Sequence, residues 1–241
     1  MFELDTAQEK ALLARAITQD VLERAAGRRD LLAIDERSVH ERGSRYVDFL
    51  LPGLIGLNLM GSSMWGIGYN LVLARKRKLL RRYAVTPMRR SHFLLSYFFS
   101  RSLFLVMELA VLIGFGRLVF QTHVQGSIAA LLVVATLGAA AFAAIGFLIG
   151  ARLSSTEVAG GWMNFVQLPM WLLSGSFFSY ERFPHWLALP IRLLPLTAVN
   201  DALRRIYNEA AGLSAVPFEL AVLGVWTVAG FVIAVRAFRW Q

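Results

Sequence analysis

Five stretches of this chain are each long and apolar enough to cross a hydrocarbon core about 30 Å thick, which takes roughly 20 helical residues. They run from Phe49 to Leu73, Phe93 to Phe120, Ile128 to Ala151, Val158 to Phe178 and Val216 to Val235. The third is the plainest, since nothing from Val124 to Ala151 carries a charge. Five such segments buried as core helices would leave almost no polar surface, because only 17% of the 241 residues are charged while 56% are apolar. In lipid, a separate apolar run satisfies its own backbone hydrogen bonds by coiling into a helix. The expectation is therefore an all-α, polytopic membrane bundle of five spans.

The charges orient it. Residues 1–48 hold eight basic and ten acidic side chains, whereas 49–241 hold seventeen against six. Between the first two spans lie Arg75, Lys76, Arg77, Lys78, Arg81, Arg82, Arg89 and Arg90 without one acid. The positive-inside rule puts that loop in the cytoplasm. Alternation then assigns 121–127 and 179–215 to the outside, and 152–157 and the tail with Arg236 and Arg239 to the inside. Nucleic acid is not the expected partner of this basic run, which is bounded by spans and offers only Tyr83 for stacking. Residues 1–45 form a polar segment, helical in pattern from Asp5 to Ala26 with Leu13, Ile17 and Val21 on one face. The topology makes it extracytoplasmic, yet no apolar targeting segment precedes it. Either the first span pulls this tail across, anchored by the basic loop behind it, or a preceding span is missing from this chain, which is the expectation; 46–241 form the transmembrane domain.

Several chemistries are excluded. Without cysteine there is no disulfide, thiolate metal site or cysteine nucleophile. Lys10, Lys76 and Lys78 are the only lysines and none follows a glycine, so there is no Walker-type phosphate loop. His40, His92, His123 and His185 fall in loops or at membrane edges, which argues against a metal site and against an intramembrane serine–histidine protease. What remains are ionisable residues inside spans, which are costly there and functional by default. Arg101 and Glu108 lie seven apart, on one helical face, and either neutralise each other structurally or serve a conduction path or subunit contact. Glu219, close to the start of the last span, is read as reaching the interface. Gly146 and Gly150, with Gly53, Gly56, Gly61, Gly66 and Gly68 in the first span, point to close helix packing within one subunit. Pro184, Pro190 and Pro195 forbid a single straight helix over 180–200. That region reads as short helical pieces re-entering the outer leaflet, part of a translocation path or its outer gate.

The basic loop is more specific. Residues 76–83 can form a short helix with Leu79, Leu80 and Tyr83 on its apolar side, stopped by Thr86-Pro87. Such a helix can rest on anionic lipid or dock a soluble partner. The run RKRKLLRRYAVTPMRRSHFLLS, Arg75 to Ser96, resembles the cytoplasmic coupling segment of type-2 ABC exporter permeases. Tyr46 to Gly68 resembles the second span of that family's drug and polysaccharide export branch. Leu168 to Arg205, with LPMWLLSGSFFSYERFP, LLPLT and DALR, resembles its late signature.

The resemblance implies a homodimer, or a pair with a related permease, driven by separate ABC-type ATPase subunits that bind the ATP, with no cofactor on this chain. It implies a bacterial plasma-membrane location and an ATPase-docking set of Arg75, Lys76, Leu79, Leu80, Tyr83, Thr86, Pro87, Arg89 and Arg90. The outer gate or path would include Ser174, Gly175, Phe183, Pro184, Trp186 and Pro195. Two other classes compete. An ion-coupled transporter or channel would need paired acids near mid-membrane, where only Glu108 qualifies, and a non-transporting assembly subunit would need no path. Drugs, lipids and glycans all suit an apolar path with few polar groups.

Overall fold

The computed structural model describes residues 16, 18–20, 22, 23, 25, 46–80, 90–177, 180 and 183–238; for Arg90, Leu94 and His185 it describes the backbone alone. The chain divides into two compact units, Met1–His40 and Glu41–Gln241. In the first, the described residues are helical, and Gln19 Nε2 donates to Glu23 Oε1 at 3.0 Å. Leu13, Ile17 and Val21, which define its expected apolar face, lie outside the described residues.

The second unit is built from α1 (Tyr46–Lys76), α2 (Arg90–Phe120), α3 (Ile128–Gly150), α4 (Thr156–Leu173), α5 (His185–Arg192), α6 (Pro195–Glu209) and α7 (Pro217–Ala237). No strand occurs among the described residues, and the all-α membrane bundle holds. The uncharged α3 is its centre and packs against α1, α2, α4, α6 and α7. Small residues make that possible. A β-carbon on Gly146 would lie 2.7 Å from the Met64 carbonyl oxygen, and one on Gly68 would lie 2.7 Å from that of Gly146. The G-x-x-x-G pair is thus used inside the subunit, against α1, where lipid supplies little drive for helix association and close backbone contact must. By contrast α2 and α7 turn much apolar surface outward, including Leu103 at 75% and Leu118 at 84% exposure. Such surface is natural for helices bordered by lipid.

Four helices, α1, α2, α3 and α7, are long and apolar enough to cross a membrane. The expected fourth span, 158–178, differs. Its helix, α4, is 18 residues, about 27 Å at 1.5 Å per residue, and carries Glu157, Asn164 and Gln167. It ends at Leu173 because Ser174 caps it and Gly175 takes φ 73°, a left-handed conformation that glycine adopts without strain. Even so, α4 traverses the bundle, from Thr156 beside Lys76 to the Ser174–Ser176 turn beside Gly53.

The proline-broken region resolves into two helices. Pro184 stands at the N-cap of α5, and Pro195 occupies the first turn of α6, where its missing N–H costs nothing. Pro190 lies within α5 and, unlike the other two, marks no boundary. Whereas α5 is largely exposed, α6 is wedged against α1, α3 and α7, with Leu196, Val199, Leu203 and Tyr207 buried.

Candidate functional site

Along α1 a polar row at four-residue spacing, Asn58, Ser62, Gly66 and Asn70, stays exposed or half-buried in an otherwise apolar helix. Four-residue spacing stacks these positions on one face. The row is bordered by α2 on one side. There the Arg101 guanidinium meets the Glu108 carboxylate at 2.5 Å, with side chains 12% and 29% exposed. Arg101 also donates to the Ser62 hydroxyl, and Glu108 Oε2 accepts from Ser62 Oγ at 3.3 Å and Asn58 Nδ2 at 3.5 Å. The expected pairing is present, and α1 completes it. On the other border Trp65 Nε1 donates to Gln167 Oε1 of α4 at 2.9 Å. Within this row the two charges of the ion pair neutralise each other, and Ser62 and Asn58 hydrogen-bond to them.

At the end carrying the basic loop, Arg75 turns inward. Its guanidinium donates to the carbonyls of Gly150 at 2.7 Å, Ala151 at 2.7 Å and Leu153 at 2.6 Å. These carbonyls finish α3 and follow it, where a helix presents unsatisfied acceptors and the negative end of its dipole. Lys76 Nζ reaches Thr156 Oγ1 at 3.4 Å and Glu157 Oε1 at 3.6 Å. Past α1, Lys78 takes φ 59° and breaks the helix, and Leu80 is 1% exposed among Ile67, Leu71, Phe93 and Phe238. Two of the expected docking residues make contacts within the bundle: Arg75 caps α3 and Leu80 belongs to the core. Leu79 packs against the same cluster while half-buried, and Lys76 faces outward. Tyr83, Thr86, Pro87 and Arg89 lie outside the described residues, as does the side chain of Arg90.

The opposite end holds a polar knot that sequence patterning alone did not reveal. Pro52 lacks an N–H, so the Asp48 carbonyl four residues earlier has no helical donor. Asn208 Nδ2 of α6 supplies one at 2.9 Å. Asn200 Nδ2 donates to Ser176 Oγ at 2.8 Å, and Ser174 and Ser176 share a hydrogen bond of 2.8 Å. Arg204 donates to the Gly175 carbonyl at 2.5 Å and stacks 3.7 Å from the Phe49 ring centroid. Tyr180 donates to Asp201 at 2.8 Å, and Arg205 meets Glu219 at 3.6 Å. Glu219, expected to reach the interface, instead has a side chain only 13% exposed. Of the expected gate residues, Ser174 and Gly175 enter the knot and Pro195 is buried, while Phe183, Pro184 and Trp186 lie exposed. They do not form one site. Burial lifts the Asp201 carboxyl above its ordinary range, against the pull of Tyr180 and Arg204.

The knot takes Asp201 and Arg204 from the DALR motif, and it gives that motif a physical role in this chain. The sequence profile of the ABC-2 family transporter proteins matches residues 7–236, nearly the whole chain and every element above. The chain belongs to the ABC-2 transporter family. A curated relative, ABC transporter G family member 20 of Dictyostelium discoideum, is 24% identical over 197 residues, 80% of this chain. The chain spans 27% of that protein's length. As an ABC-2 family member with helices long and apolar enough to cross a membrane, it is a multi-pass membrane protein. The i, i+3 spacing of Asp201 and Arg204 was the available signal for the knot, but their partners Tyr180, Gly175 and Phe49 are remote in sequence.

Proposed function

We propose that this ABC-2 chain is the permease subunit of an exporter in a bacterial plasma membrane, driven by ATP hydrolysed on a separate ABC-type ATPase. The observation that carries this reading is the anchorage of the basic segment at its root. A push delivered at 77–80 reaches the bundle, because Arg75 fastens the end of α1 to the end of α3 and Leu80 fastens the turn to α1, α2 and α7. Closure of a docked ATPase dimer would then tilt α1 and α3 as rigid bodies, opening the polar row of α1 alternately to each side. The basic loop faces the cytoplasm in this scheme, and a second permease copy or a related chain completes the path. Glu108 is committed to Arg101, which favours this reading over ion coupling by a free carboxylate.

The test leaves Arg75 and Leu80 intact, because both hold the bundle together. Replacing Arg81, Arg82 and Tyr83 together by serine should preserve insertion while reducing co-purification with the ATPase at least about tenfold, the loss of one charged contact's worth of binding. Retained ATPase binding with normal stimulated hydrolysis would overturn the docking assignment in favour of lipid contact.

A further inference from the structure

Between α5, α6 and the start of α7, at the end remote from the basic loop, lies a cavity of about 490 Å³. That is within the range of small-molecule sites. Its charged lining is balanced, with Arg192, Arg204 and Arg205 against Asp201, Glu209 and Glu219. The charges are not all spent on each other. Arg204 is committed to backbone carbonyls and to Asp201, and Asp201 also to Tyr180. Arg205 shares its guanidinium between Glu219 Oε1 and the Ala215 carbonyl, and remains 45% exposed. Glu219 Oε2 is buried without a hydrogen-bond partner. An unpartnered carboxylate oxygen is expensive, and a ligand that donates to it recovers that cost.

We infer that this cavity binds the headgroup of a zwitterionic phospholipid bearing a primary ammonium, with Glu219 taking the ammonium and Arg192 and Arg205 the phosphate. A balanced cavity with acid and base separated selects a molecule that is itself neutral and charge-separated. Glu219 Oε2 needs an N–H donor, which a trimethylammonium lacks. The phosphate suits guanidinium groups that can offer paired donors. The lipid source follows from the surroundings. Phe218 lines the cavity and is 47% exposed, and on α5 Trp186 and Leu189 are 75% and 65% exposed. This is the amphipathic, aromatic surface found at membrane interfaces, where acyl chains begin. The inference requires the membrane setting of the chain but not its coupling to an ATPase.

The experiment is native mass spectrometry of the full, delipidated chain titrated with lipids of identical acyl chains: phosphatidylethanolamine, its N,N-dimethyl derivative, phosphatidylcholine and phosphatidylglycerol. The first should bind roughly tenfold more tightly than phosphatidylcholine or phosphatidylglycerol, the worth of a hydrogen bond to a charged group, with the dimethyl lipid between. Glu219→Gln should bring phosphatidylethanolamine down to the phosphatidylcholine level without weakening the latter. Arg192→Gln, a change at an exposed residue, should weaken all four lipids alike and so stands independently of whether Glu219→Gln folds. Equal binding of phosphatidylglycerol and phosphatidylethanolamine by the unaltered chain would overturn the proposal, as would an undiminished preference in Glu219→Gln. Competition by soluble glycerophosphoethanolamine at the lipid's own affinity would overturn the lipid source.

Discussion

Arg101 and Glu108 illustrate how a single pair can be costly and retained. Each charge taken into lipid carries a desolvation cost of several kcal/mol, which the partner and the hydroxyl of Ser62 offset. Removing one partner should therefore cost about 3 kcal/mol, while replacing both with apolar residues of similar size should be close to neutral. In thermal unfolding, Arg101→Met and Glu108→Leu should each destabilise, and the double variant should recover most of the loss; strictly additive losses would exclude the pairing. Asp201 obeys a different logic. Burial raises its pKa while Tyr180, Arg204 and Arg192 pull it down and Glu219 pushes it up. A carboxyl with a raised folded-state pKa contributes fully when protonated in both states, below about pH 4, and that contribution is lost as pH rises through the raised value. Asp201→Asn should accordingly flatten the pH dependence of stability from about pH 4 upward while costing under about 1 kcal/mol at neutral pH. An unfolding midpoint measured at successive pH values checks it, and an unchanged slope would show that Asp201 is held as the ion.

At the scale of elements, the central contact of α1 with α3 rests on glycine where backbones meet, and the same residue type is idle at some other positions. The Met64 carbonyl lies 2.7 Å from where a Gly146 β-carbon would sit, whereas nothing lies within 4 Å of one on Gly61 or Gly114. Gly146→Ala should cost about 2 kcal/mol as the helices separate. Gly61→Ala and Gly114→Ala should be neutral or gain up to about 1 kcal/mol from improved helix propensity. Parallel thermal melts would refute the distinction if the three variants behaved alike. The elements themselves were largely legible, because a run such as 128–150 has one viable conformation in lipid. The polar border of α1 was less so: Asn58, Ser62 and Asn70 look incidental until Arg101 and Gln167 arrive from other helices. The role of Arg75 as a cap was hidden for a related reason. Its charge counts equally toward a docking surface or a helix cap, and only the meeting of two helix ends decides.

For the whole molecule, the alternation of five traversing helices places the two polar ends on opposite faces of the bundle. Lys76, Arg75 and the close of α3 gather at one end, while Asn200, Arg204 and the opening of α1 gather at the other. The ends are unlike in charge: the basic loop has no acid, whereas the knot balances acids against arginines. A membrane that sorts short loops by positive charge therefore acts on one end only. The two single-cysteine variants Arg77→Cys and Ser214→Cys probe them at exposed positions, free of background because the chain has no cysteine. A membrane-impermeant thiol reagent added to intact cells should label Ser214→Cys and spare Arg77→Cys until the membrane is opened. Labelling of both from the same side would break the alternation itself, since α7 joins the 214 end to the Phe238–Phe93 contact at the basic-loop end. Labelling with the sides exchanged would keep the bundle and reverse its orientation, which would place the basic segment beyond the reach of a cytoplasmic ATPase and overturn the proposed coupling.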